Sequence, residues 1–100
     1  MAVEMAATVY ERIKEVCDNI RENKTITGEL IEILAEKNVY IDPKYILAVE
    51  CSYYEHRDLK TATIDIYMPG LTVKVMYDSD RESEDYRVIV MKDQFECICH

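Results

Sequence analysis

The chain has 100 residues, 49% of them hydrophobic, and a formal net charge of −8. That length bounds it to a single domain, residues 1–100, large enough to bury a core without metal or disulfide staples. The acidic balance argues against direct binding to nucleic acid or an anionic membrane, and the two glycines, Gly28 and Gly70, leave no Gly-rich loop for phosphate or dinucleotide binding.

The first residues lack a basic start followed by an apolar run, and no stretch approaches the ~20 apolar residues of a membrane-spanning helix. A cytoplasmic location is therefore expected. In that compartment Cys17, Cys51, Cys97 and Cys99 read as thiols rather than disulfides.

Residues 2–22 carry a helical pattern. Met5, Val9, Ile13, Val16, Cys17 and Ile20 recur at intervals of three and four, with Glu11, Arg12, Glu15, Asp18, Arg21 and Glu22 on the other side. A second helix is expected to start at Thr27 as N-cap, with Ile26 and Ile31 placed as a hydrophobic staple. It turns on Leu30, Ile31 and Leu34 and should stop at Asn38, which tolerates the left-handed backbone of a helix end. Reading of DNA by this helix pair is disfavoured, because Glu29, Glu32 and Glu36 would face phosphates.

Asp42-Pro43 can cap and start a helix. Against that, Tyr45, Leu47, Val49, Cys51 and Tyr53 alternate with Ile46, Ala48, Glu50, Ser52 and Tyr54, so a strand is expected over residues 45–54 after at most one helical turn, its odd-numbered side in the core. Residues 55–60 then form a mixed-charge hairpin loop. His56 near Asp58 and Glu55 has the makings of a general base, but no serine or cysteine in a nucleophile setting accompanies it, and a non-enzymatic protein is expected.

The strongest pattern lies at residues 61–77, where two alternating runs flank Pro69-Gly70 and predict a β-hairpin. A two-residue loop sets Ile66 against Val73, Ile64 against Val75, and Asp65 against Lys74 on the wetter side. A Pro-Gly type II turn suits hairpin twist less well than the primed turns, so a loop longer by one residue is the competing register.

Residues 78–85 hold five acids and one base, contributing half of the net charge of −8. Their spacing begins like a calcium-binding EF-hand loop, but Ser83 stands where the glycine is needed and Ile89 where the bidentate glutamate is needed. What remains is concentrated negative charge on Asp78, Asp80, Glu82, Glu84 and Asp85. In extended backbone, alternate carboxylates recur every ~6.6 Å, of the same order as the ~3.4 Å rise between phosphates of one strand.

Two more strands are expected, residues 86–91 and 95–99. Val88 and Val90 share one side of the first, while Ile89 and Met91 on the other join Ile46, Met76 and Ile98 in an apolar outer patch, for which a homodimer is expected. Cys97, Cys99 and His100 resemble metal ligands. Their strand spacing of ~6.6 Å exceeds what two sulfurs on one zinc allow, so core packing is preferred and no metal or cofactor is assigned.

The reading is thus an α+β fold of two layers, two N-terminal helices on one face of an antiparallel meander of about five strands. The function expected is a non-enzymatic acidic protein-binding module. It would occupy the basic nucleic-acid-binding surface of a partner protein, in the manner of small viral or mobile-element anti-defence inhibitors such as anti-CRISPR proteins, through Asp78, Asp80, Glu82, Glu84 and Asp85. The alternative is a small-ligand- or zinc-binding homodimeric domain using tyrosines and Cys97, Cys99 and His100.

Overall fold

A computed structural model describes residues 8–23, 28–79 and 85–92. Helix α1 spans Val9–Asn23 and helix α2 spans Gly28–Ala35; a short 3-10 turn, Pro43–Tyr45, leads into strands β1 (Ala48–His56), β2 (Leu59–Met68), β3 (Leu71–Asp78) and β4 (Arg87–Lys92). The strands form one antiparallel sheet in the order β1-β2-β3-β4. The α+β class holds, with four strands among the described residues; the expected fifth strand, residues 95–99, lies outside them.

Helix α1 is shorter than the periodicity of its sequence suggests. Thr8 Oγ1 accepts the Glu11 backbone N–H at 3.1 Å, and the Thr8 carbonyl accepts that of Arg12 at 3.0 Å. Thr8 is thus an N-cap for α1, and residues 2–7 of the expected helix, Met5 among them, lie outside the described residues. The Thr-x-x-Glu spacing of Thr8 and Glu11 is a start signal that the sequence analysis did not use. The expected cap at Thr27 and the staple residue Ile26 lie outside the described residues.

The end of α2 follows the expectation. Asn38 adopts a φ of 64°. The Val39 N–H reaches back to the Leu34 carbonyl at 3.0 Å and the Asn38 N–H to Ala35 at 2.9 Å, the paired bonds of a Schellman motif. Its buried side chains are Leu30, Ile33 and Leu34; Ile31 is only half-buried, so Ile33 takes the core position expected of Ile31.

Both readings of Asp42-Pro43 are partly realised. Asp42 Oδ1 accepts the Lys44 N–H at 3.1 Å and caps a single turn. The strand therefore starts at Ala48 rather than Tyr45, and runs on to His56. Because the turn breaks the two-residue period, Tyr45 and Leu47 are exposed, at 52% and 70%, while Ile46 packs against the core. Ile46 is accordingly no part of an outer apolar patch. Of the other members, Met76 and Ile89 are half-buried, Met91 is exposed, and Ile98 lies outside the described residues.

The central hairpin has the two-residue loop. Ile66 pairs with Val73, Ile64 with Val75 and Asp65 with Lys74, and the Lys74 Nζ to Asp65 Oδ1 distance is 3.1 Å. Gly70 has a φ of +80°, the left-handed backbone that the second loop residue of a type II turn requires. Ala62, Ile64, Ile66, Val73 and Val75 are buried in one cluster with Tyr10, Ile13, Val16 and Cys17 of α1, the apolar side chains of α2, and Tyr86. Val49, Cys51 and Tyr53 of β1 pack against its margin.

Candidate protein-binding surface

Of the five acids expected to form the docking site, Asp80, Glu82 and Glu84 lie outside the described residues. Asp78 closes β3 opposite Thr61, and Asp85 is exposed just before β4. The ends of the connector are brought together: Asp78 and Asp85 line one small recess with Thr61, Met76 and Arg87. Its start is stitched to β2, since the Ser79 N–H donates to the Lys60 carbonyl at 2.9 Å and the Lys60 N–H to Ser79 Oγ at 2.8 Å.

Asp85 is not an uncommitted charge. Its carboxylate pairs with Lys37 Nζ and also accepts the Tyr86 backbone N–H at 2.8 Å. The lysine, then that N–H, hold its carboxyl below the usual range. Beside it, Tyr86 is buried, its hydroxyl 2.6 Å from the Ile33 carbonyl and 2.8 Å from Glu36 Oε1, and the Lys37 ammonium lies 4.7 Å from its ring centroid. Glu36 in turn accepts the Arg12 guanidinium on both oxygens, at 3.2 and 2.9 Å, while Arg12 Nε donates to Glu29 at 3.2 Å. The forked Arg12 contact, helped by Tyr86, depresses the Glu36 carboxyl. These charges tie α1, α2 and the entry to β4 together and are spent inside the molecule.

Exposed charge outside these pairs includes a row on α1, besides Glu32, Arg57, Asp58, Arg87 and Lys92 elsewhere. Glu11, Glu15 and Glu22 are exposed, and no ion-pair partner for their carboxylates occurs among the described residues. At 100° per residue they fall on one stripe opposite Ile13, Val16 and Cys17, and four helical residues advance ~6 Å. Asp18 belongs to the same stripe but accepts the Tyr53 hydroxyl at 2.8 Å. The i, i+4, i+11 spacing of these glutamates was legible in the sequence, though the stretch 78–85 outweighed it there.

His56 ends β1 with its ring stacked near Tyr54, centroids 6.2 Å apart, beside the Arg57-Asp58 turn. Among the described residues no group of three or more His, Cys, Asp or Glu side chains is arranged to hold a metal ion; Cys97, Cys99 and His100 lie outside them. An open apolar recess between the end of α1 and the start of β1 is lined by Ile20, Arg21, Pro43, Ile46 and Leu47. None of its lining residues is a tyrosine. No helix among the described residues is long and apolar enough to cross a membrane.

Compared with known proteins, the chain matches no family model, no curated protein and no solved structure.

Proposed function

We propose that this chain is a non-enzymatic acidic module that docks on a basic, nucleic-acid-binding surface of a partner protein and blocks it, in the manner of small anti-defence inhibitors. The observation that carries this reading is the stripe of Glu11, Glu15 and Glu22, exposed and without ion-pair partners among the described residues. Carboxylates spaced by ~6 and then ~10 Å along a rigid helix present a row of charge with little ordering cost on binding. The connector acids Asp78, Asp80, Glu82 and Glu84 add to the negative charge available for docking, and Asp85 pairs with Lys37.

In this reading the two helices are the single cover of the sheet, residues 95–99 add a fifth strand, and Ile89 and Met91 on the uncovered side face a second copy. The test is capture on the immobilised full chain from a lysate at low and high salt. A captured nucleic-acid-binding protein is then challenged with labelled duplex DNA. Mutually exclusive binding of chain and DNA supports the reading, and simultaneous binding of both rejects it.

A further inference from the structure

Cys17 and Cys51 meet where α1 crosses the outer strand β1. Two hydrogen bonds fix that crossing: Arg21 Nη2 donates to the Cys51 carbonyl at 3.1 Å, and the Tyr53 hydroxyl donates to Asp18 at 2.8 Å. Cys17 lies four residues before Arg21, on the same helical face, and is fully buried. Cys51 is half-buried and borders a surface recess with Arg21, Ser52 and Thr63. Cys51 packs against the buried cluster that contains Cys17, and both thiols are unbridged.

We propose that Cys51 and Cys17 form an oxidant-sensing dithiol, in which Cys51 reacts with a hydroperoxide and Cys17 resolves the product as an internal disulfide. In the first step the Cys51 thiolate attacks one peroxide oxygen. An S–O bond forms, the O–O bond breaks, and the leaving hydroxide takes a proton to become water. In the second, Cys17 sulfur attacks the Cys51 sulfenic sulfur; the S–S bond forms, the S–O bond breaks, and the Cys17 proton leaves with the hydroxide as a second water. Two thiols lose two electrons in all, and one hydroperoxide gains them.

The division of labour follows from position. Cys51 is the sulfur that an oxidant can reach, and its thiolate is favoured by the Cys17 thiol and then by the Arg21 guanidinium. Cys17, enclosed in the core beside Cys51, is held protonated. Buried thiols are ordinarily inert, and only a partner already beside Cys17 brings an electrophilic sulfur to it.

The experiment treats the folded full chain with substoichiometric hydrogen peroxide, blocks free thiols with iodoacetamide, and maps tryptic peptides by mass without reduction. The expected product joins peptide 15–21 to peptide 45–57 with the loss of two hydrogens. In a Cys17→Ser chain that product is absent and Cys51 accumulates as sulfenic acid, trapped by dimedone. Circular dichroism confirms that the variant is folded; if it is not, Cys17→Ala replaces it. Recovery of both cysteines alkylated, or of Cys51 over-oxidised in the wild-type chain while Cys17 stays free, overturns the proposal.

Discussion

The Tyr86 hydroxyl donates to the Glu36 carboxylate at 2.8 Å, across a separation of 50 residues in the chain. Through Glu36 it reaches Arg12 of α1, and through its own backbone N–H it reaches Asp85, so one buried tyrosine joins both helices to the acidic connector. Replacing Tyr86 by Phe keeps the ring and removes the hydroxyl, whose one proton the Ile33 carbonyl and the Glu36 carboxylate share. We expect a loss of about 1–3 kcal/mol, read as a lower urea midpoint at unchanged slope.

The same network sets an acid limb to stability. Glu36 and Asp85 have carboxyls lowered by Arg12 and Lys37 respectively. A lowered folded-state value means that the stabilisation is present above the unfolded values of ~4 and is lost as pH falls through the lower folded ones. Both groups are about half exposed, so each contributes little. Urea midpoints should fall between neutral pH and pH ~3, and an Arg12→Met chain should show a shallower fall.

At the alkaline end the sign reverses. Burial of Tyr86, and the bonds of Tyr53 to Asp18 and of Tyr67 to Glu50, raise these phenols above their ordinary value. Their contribution is complete below pH ~10 and is lost as pH rises through the folded-state values. Tyrosinate absorbance of the folded chain should therefore lag behind that of the urea-unfolded chain, and the lag should shrink in Tyr86→Phe.

Ile64 has no exposed surface, whereas Val90 on β4 is 51% exposed. Ile64→Ala should cost ~2–5 kcal/mol and Val90→Ala less than ~1 kcal/mol. Equal losses at the two positions would contradict the placement of the core.

Arg57 occupies the first position of the β1–β2 loop with a φ of 57°, a conformation that glycine adopts freely. Relief of that strain outweighs the extra freedom glycine gives the unfolded chain. Arg57→Gly is expected to raise stability by about 0.5 kcal/mol, measurable as a small rise in thermal midpoint.

Local chemistry was the legible part of the sequence. Ile64, Ile66, Val73 and Val75 favoured the two-residue loop because a one-residue slip would have turned one strand's pair to water, although the Pro-Gly turn left a longer loop in competition. Asn38 announced its helix end because few other side chains accept a positive φ. The strand β1 was misplaced at its start because a capped turn and a continuing alternation overlap at Tyr45, and only packing decides between them. Tyr10, missing from the apolar stripe read for α1, is 2% exposed, and its hydroxyl is buried without a hydrogen-bond partner among the described residues. The fate of the charges was least legible. Arg12 and Asp85 read as surface groups, and their pairing with Glu36 and Lys37 depends on contacts between residues far apart in the chain.

The most direct test of acidic docking is the salt dependence of binding between the full chain and the nucleic-acid-binding protein it captures. It is measured alongside a Glu11→Lys, Glu15→Lys, Glu22→Lys chain and an Asp80→Lys, Glu82→Lys, Glu84→Lys chain. The wild-type affinity should drop steeply as salt rises toward physiological levels, where the screening length is ~8 Å. Both reversed chains should bind more weakly, with a flatter salt response. Equal affinity and equal salt response in all three proteins would contradict a docking surface made of these carboxylates.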